Sequence, residues 1–250
     1  MAGQIRIGCS GWSYAHWRGR FYPEKMPARE HFAFYAAHFD TVELNNSFYR
    51  QPPVERFAAW RTQAPAGFLF AVKGSRYVSH IKRLAVEQRS VDMVIEPAMG
   101  LGEKLGPILF QFQANFQVDL ERLERFINKL PENLRYTLEF RHDSWLIPPL
   151  CELLRSRQIA LCIPDHPKMP KVFEITSDFT YIRMHLPKQG LGYGRTALEP
   201  WAERVMDWTS RGLDVFVYFN NDMEGHAIKD ALTLKELIGG KAGIRTRGAD

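Results

Sequence analysis

TVELN, residues 41–45, alternates its side chains: Val42 and Leu44 are apolar, while Thr41, Glu43 and Asn45 are polar. A period of two is the signature of a strand with one apolar and one polar face. Similar short runs recur on both sides. IRIGC (5–9) precedes it. FLFAVK (68–73), PILFQF (107–112), YTLEF (136–140), IALCI (159–163), TYIRMH (180–185) and DVFVYF (214–219) follow. Helical patterns fall between most of them, over 29–39, 54–63, 119–130, 146–157, 198–211 and 225–238, with Pro131 and Gly212 as stops. Eight strands alternating with helices predict an α/β chain closed as a (β/α)8 TIM-type barrel. Units three and six are irregular. The connection 75–106 has room for a lid-like segment, and 164–178 carries Pro164, Pro167 and Pro170, which leave a short helix or none. The barrel is expected to form one domain over 1–240, with 241–250 as a frayed tail. The competing open doubly wound sheet wants GxGxxG after its first strand, and GCSGW (8–12) lacks it, so no dinucleotide cofactor is implied.

Composition sets the outer limits. Of 250 residues, 45% are hydrophobic and 24% charged, which excludes disorder and low-complexity scaffolds. A chain of this length buries a core without help from disulfides or metals. No run approaches the roughly 20 apolar residues of a spanning helix, so no membrane partner is expected. MAGQIRIGCS (1–10) has no secretory pattern. Cys9, Cys151 and Cys162 are scattered, without a CxxC pair, and point to a reducing cytoplasm. The net charge of +5 permits an acidic partner without demanding one.

The strand period also sorts residues by face. Inward positions are Arg6, Gly8, Ser10, Thr41, Glu43, Asn45, Ala71, Lys73, Gln111, Glu139, Arg141, Tyr181, Arg183, His185, Tyr218 and Asn220. Outward positions are Ile5, Ile7, Val42, Leu44, Phe70, Val72, Phe110, Leu138, Phe140, Ile182, Val215, Val217 and Phe219. A structural lumen is filled with branched apolar residues, whereas this one is polar toward the carboxyl ends of its strands, where barrel enzymes keep their sites. Buried charges must pair or meet a ligand. Arg6, Lys73, Arg141 and Arg183 outnumber Glu43 and Glu139, so an anionic ligand is expected; the alternative is a self-satisfied ion network. No HxH, HExxH or cysteine cluster appears, and no metal is expected. Aromatic residues crowd the loop after the first strand, from Trp12 to Tyr22, and Phe48, Tyr49 and Trp145 follow later strands. Phe21 and Trp145 read as seals of the barrel mouth, whereas Trp12 and Tyr49 suit either sealing or ligand stacking.

The segments IGCSGWSYAHWRGRFYP (7–23), FDTVELNNSFYRQP (39–52), FLFAVKGSRYVSH (68–80), PILFQF (107–112), LEFRHDSW (138–145), YIRMH (181–185) and VYFNNDMEGHA (217–227) resemble, in order, the domain of unknown function 72 family, also called YecE-like. The resemblance covers nearly the whole chain and implies a barrel. It supplies no activity, because the family has no established one. The chain departs from the family pattern at QFQANF (111–116), at Leu186 and Pro187 after His185, and at Ser79 before His80, changes expected to alter the rim near strands four and seven.

The leading functional expectation is an enzyme that acts on a small anionic or phosphorylated substrate. Glu43, Lys73, Glu139 and His185 are the candidate catalytic groups. Trp12, Asn45, Tyr49, Gln111, Arg141, Arg183, Tyr218 and Asn220 are the candidate binding groups, with Arg141 and Arg183 clamping the anion. Hydrolysis, lyase chemistry and isomerisation remain open. The alternatives are nucleic-acid binding or processing, by analogy with barrel endonucleases of the endonuclease-four type, and a non-catalytic sensor of an anionic metabolite. The oligomeric state is not legible.

Overall fold

The computed structural model describes residues 2–245, with side chains to residue 240, so the expected tail over 241–250 falls largely outside the described residues. Among the described residues there are nine strands: β1 (Ile5–Cys9), β2 (Thr41–Leu44), β3 (Leu69–Lys73), β4 (Leu105–Gln111), β5 (Tyr136–Glu139), β6 (Ala160–Leu161), β7 (Ile163–Asp165), β8 (Phe179–Met184) and β9 (Asp214–Phe219). All pairings are parallel. They form two sheets, ordered β2-β3-β4-β5-β6 and β1-β9-β8-β7. Eight helices, α1 to α8, span His31–Ala36, Asn46–Tyr49, Val54–Gln63, Gln88–Ala98, Leu120–Ile127, Pro148–Ser156, Gly194–Ser210 and His226–Arg245. None is long and apolar enough to cross a membrane.

The strand order is that of a TIM-type barrel, but the hydrogen-bond ladder is interrupted at two places. At the first, one wall position is split. Its lower half, β6, pairs with β5, and its upper half, β7, pairs with β8. Between them the Cys162 N–H still donates to the Leu138 carbonyl at 2.9 Å, so the wall is continuous. At the second, β1 and β2 share no ladder among the described residues. The buried hydroxyl of Tyr35, from α1, fills the gap. It accepts from the Cys9 N–H at 2.8 Å and donates to the Thr41 carbonyl at 2.9 Å. Gly8 lets the strands approach there, since a Cβ at this position would lie 2.2 Å from the Thr41 carbonyl oxygen.

The strand period sorts the faces as expected. Every residue assigned outward belongs to, or packs against, one large core shared with the helices. A second, smaller apolar cluster fills the lower lumen: Ala71, Leu109, Ala160, Cys162, Phe179, Tyr181, Phe216 and Tyr218. The helices bury their apolar stripes on the outside. In α5 the Asp119 side chain caps the first turn by accepting from the Arg122 N–H at 3.0 Å, and Leu123, Phe126 and Ile127 turn inward.

The irregular units take definite shapes. In unit three α4 buries Val91, Val94, Ile95 and Ala98, so it is a wall helix and not a lid. Ahead of it a π-helical turn over Tyr77–Ile81 leads to Arg83 and Leu84, both left-handed (φ 45° and 70°), with Leu84 buried. In unit six no helix forms over 166–178, in keeping with its prolines.

Candidate functional site

The carboxyl ends of the strands carry a layer of buried charge above the apolar lower lumen. Arg183, on β8, stands at its centre and is 1% exposed. Its Nε and Nη2 donate to both oxygens of Glu43, at 3.0 and 2.8 Å, and its Nη1 donates to Glu139 at 2.7 Å. Glu43 also accepts from the Ser10 and Tyr181 hydroxyls, each at 2.7 Å. Glu139 also accepts from Arg141 Nε at 2.6 Å, and the Cys162 thiol points at it from 3.9 Å. Burial pushes both carboxyls up, but Arg183 outweighs it, aided by His185 and Arg141 at Glu139, and both stay below the usual carboxylate range. The carboxylates are therefore ionised and engaged.

The arrangement changes how these groups read. Arg183 is enclosed between the carboxylates of Glu43 and Glu139, and three of its donor contacts end on them. Glu43 has both oxygens doubly engaged within the protein. Glu139 is as deeply buried, but among the described residues its Oε1 accepts from Arg141 alone. Tyr218, fully buried, shares a 2.6 Å hydrogen bond with Thr41 and lies below the layer. Arg6 is removed from the count as well: it binds Asp40 and the Gly67 carbonyl, both at 2.8 Å, at the opposite end of the barrel.

The cation surplus thus reduces to Lys73, at the end of β3. It is 9% exposed, and no carboxylate lies within ion-pair reach of it among the described residues. Its ammonium sits 4.1 Å from the centre of the Phe48 ring. Burial, reinforced by Arg183 and opposed by Glu43 and Glu139, lowers its pKa to about 8. His80 lies beside it from the π-helical turn, edge-on to Phe48, with Nδ1 2.9 Å from the Ser79 hydroxyl and Nε2 3.5 Å from Gln111 Nε2. Burial, with Lys73 and Arg141 nearby, lowers the His80 pKa to about 4, so its ring is neutral.

The remaining candidates form the rim. Arg141 uses Nε on Glu139 and is partly exposed. His185 holds Nε2 3.5 Å from Glu139 and faces Asn220 Nδ2 with Nδ1 at 3.1 Å; if Asn220 donates, the ring proton is on Nε2. Burial, partly offset by Glu139, lowers the His185 pKa. Asn45 donates to the Ser10 carbonyl at 3.4 Å. Trp12 seals against Phe32 and Trp60, with ring centres 5.1 and 5.6 Å away, whereas Tyr49 is 73% exposed. Trp145 is fully buried and donates to the Phe116 carbonyl at 2.7 Å, the sealing role its position suggested. Lys73, Gln111, Arg141, His185 and Asn220 thus sit at the layer's upper edge, Arg183 at its centre and Tyr218 below it, with Trp12 and Asn45 at the walls. His80 was not among the site candidates, and Phe48 was named only as one of the aromatic residues after strand ends; their place in loops after inward-facing strand ends was the signal for them. No group of three His, Cys, Asp or Glu side chains among the described residues is arranged to hold a metal ion.

Fold and layer together define a TIM-type α/β barrel with a charged upper lumen. The chain belongs to the family of proteins of unknown function DUF72, whose model matches residues 6–248. It is 26% identical to the UPF0759 protein YunF of Bacillus subtilis over 94% of each chain. It is similar in structure to a DUF72 family protein from Thermotoga maritima, with 28% identity, a TM-score of 0.83 and coverage of 94% of this chain and 99% of that one. D-psicose 3-epimerase from Clostridium cellulolyticum, 12% identical with a TM-score of 0.53 and coverage of 96% and 98%, shares the fold alone.

Proposed function

We propose that the barrel mouth is an enzyme active site for a small anionic or phosphorylated substrate, with Lys73 as its reacting group. The observation that carries this is the isolation of Lys73: it is a buried ammonium without a carboxylate, in a layer whose other charges are paired. A ligand anion supplies the missing partner. With a pKa lowered to about 8, the amine gives and takes a proton near neutral pH, which suits a general acid or base. Arg141 offers its outer guanidinium nitrogens to the anion, and Gln111 and His185 address neutral oxygens. The three free thiols support a reducing compartment for this chemistry.

Modification of Lys73 by trinitrobenzenesulfonate, read by peptide mass mapping, tests the reading. Inorganic phosphate should slow modification of Lys73 but not of surface lysines, and Arg141→Gln should remove that protection. Labelling of Lys73 at the surface rate, indifferent to phosphate, would overturn it.

Nucleic-acid processing is a second reading, favoured by one part of the rim. Tyr49 and Tyr77 are 73% and 43% exposed, and Arg50, Arg76 and Lys82 stand beside them, with Lys82 5.7 Å from the Tyr77 ring centre. Aromatic faces interleaved with cations suit single-stranded bases and phosphates. Saturable, salt-sensitive binding of an oligonucleotide that fails in Tyr49→Ala separates this reading from the first.

A further inference from the structure

The prolines of unit six leave 166–178 as coil, and that coil, the segment after β8 and helix α7 enclose a cleft of about 740 Å3. Pockets for drug-sized ligands run from about 300 to 1,000 Å3. Its wall is aromatic. Phe173, 41% exposed, meets Trp201 with ring centres 5.8 Å apart, and Tyr193 lines the cleft while donating to the Asp165 carbonyl at 3.0 Å. Its charge is cationic. Lys171, Lys188 and Arg204 line it, and Asp165 is the one lining carboxylate among the described residues. Asp165 is already taken by Lys171 at 2.5 Å. That leaves Lys188, which is exposed, and Arg204, whose guanidinium lies 4.0 Å from the Phe173 ring centre, without a carboxylate in the lining. Gln189 and Thr196 add neutral hydrogen-bonding groups. His166 forms the border with the barrel mouth, its ring 6.4 Å from that of His185.

An apolar aromatic wall recruits a planar body, and two uncompensated cations recruit an anion attached to it. Inorganic phosphate fills too little of the space and makes no use of the wall. We propose that this cleft binds a mononucleotide-sized anion, with its planar base against Phe173 and Trp201 and its phosphate between Lys188 and Arg204. The site is distinct from Lys73 and stands whether or not the mouth is catalytic.

Calorimetric titration of the full chain with adenosine monophosphate, adenosine and inorganic phosphate tests it, with tryptophan fluorescence as a second readout. The monophosphate should saturate, with adenosine and phosphate each at least about tenfold weaker. The double variant Lys188→Gln/Arg204→Gln should weaken the monophosphate about tenfold and leave adenosine nearly unchanged. Trp201→Phe should remove most of the fluorescence change, and circular dichroism should report an intact fold for each variant. In Lys73→Met the Trp201 fluorescence response to the monophosphate should persist, whatever happens to binding at the mouth. Equal affinity for all three probes, indifference to the double variant, loss of the Trp201 response in Lys73→Met, or an oligonucleotide binding far more tightly than the monophosphate would each overturn the proposal.

Discussion

Arg183 and Lys73 lie on strand ends of one barrel, both buried and both cationic, yet they are held in opposite ways. Arg183 has five polar hydrogens in a planar fork, and three of its donor contacts end on two carboxylates. Lys73 has a point charge and a benzene ring for company. The difference teaches that burial of charge does not by itself mark a functional group. The network around Arg183 is closed by the protein's own groups, whereas the surroundings of Lys73 are open. The amine lowered to about 8 beside carboxylates that stay ionised shows the same division electrostatically.

Breaking the closed side should have the largest effect. Arg183→Met removes the shared cation and leaves Glu43 and Glu139 buried without it. Stability should fall by about 3–5 kcal/mol in urea melts, the scale for stranding buried charge. A loss below 1 kcal/mol would mean that water reaches the layer and that the network is as open as Lys73. Next is the seam that carries Glu43 toward Ser10. Tyr35→Phe deletes the hydroxyl between Cys9 and Thr41 and should cost about 1–3 kcal/mol, read by the same melts.

The open side should respond differently. Lys73→Met should be neutral or stabilising by up to about 1 kcal/mol and should abolish stabilisation by phosphate in thermal melts. The pH dependence sharpens this. Between about pH 8 and 10.5 the unfolded chain holds a proton on Lys73 that the folded chain has released, so raising pH through this window favours folding. Wild type should gain stability relative to Lys73→Met across that interval and run parallel to it below pH 7. Parallel curves throughout would place Lys73 in a solvated mouth. The smallest effect belongs to Tyr49→Ala: with 73% of the side chain exposed, stability should change by less than about 0.5 kcal/mol, and only oligonucleotide binding reports on it.

Much of this was legible in the chain. The alternation in TVELN and its counterparts assigned the outward faces of the strands it was applied to, all but the sixth, because a sheet buried on the outside tolerates no slip of one residue. Pro164, Pro167 and Pro170 foretold the missing helix of unit six. The lid expected over 75–106 was misplaced because length alone does not say where a segment packs; Val91, Val94 and Ile95 share a face that buries against the core. The charge surplus was overcounted for a related reason. Asp40 neutralises Arg6 from just outside a strand, where no period reports which way a side chain points. The cleft was invisible since its residues come from a coil, a loop and a helix that only tertiary structure brings together. The split of the sixth wall at Cys162 was equally hidden, as IALCI reads as one strand.

The seam at Tyr35 has a consequence for the birth of the molecule on the ribosome. The five-stranded sheet is contiguous, from Thr41 to Leu161, and its ladders join near neighbours in the chain. It can assemble as synthesis proceeds. β1 is different: it precedes the other described strands, takes no ladder from β2 among the described residues, and finds its partner β9 only when Ile5 meets Val215. Contacts this far apart in sequence are the slow ones. β1 therefore has no ladder partner until β9 has been made. Arg6 in its middle, a charge flanked by two isoleucines, is the kind of residue that disfavours pairing of an open strand edge with another chain.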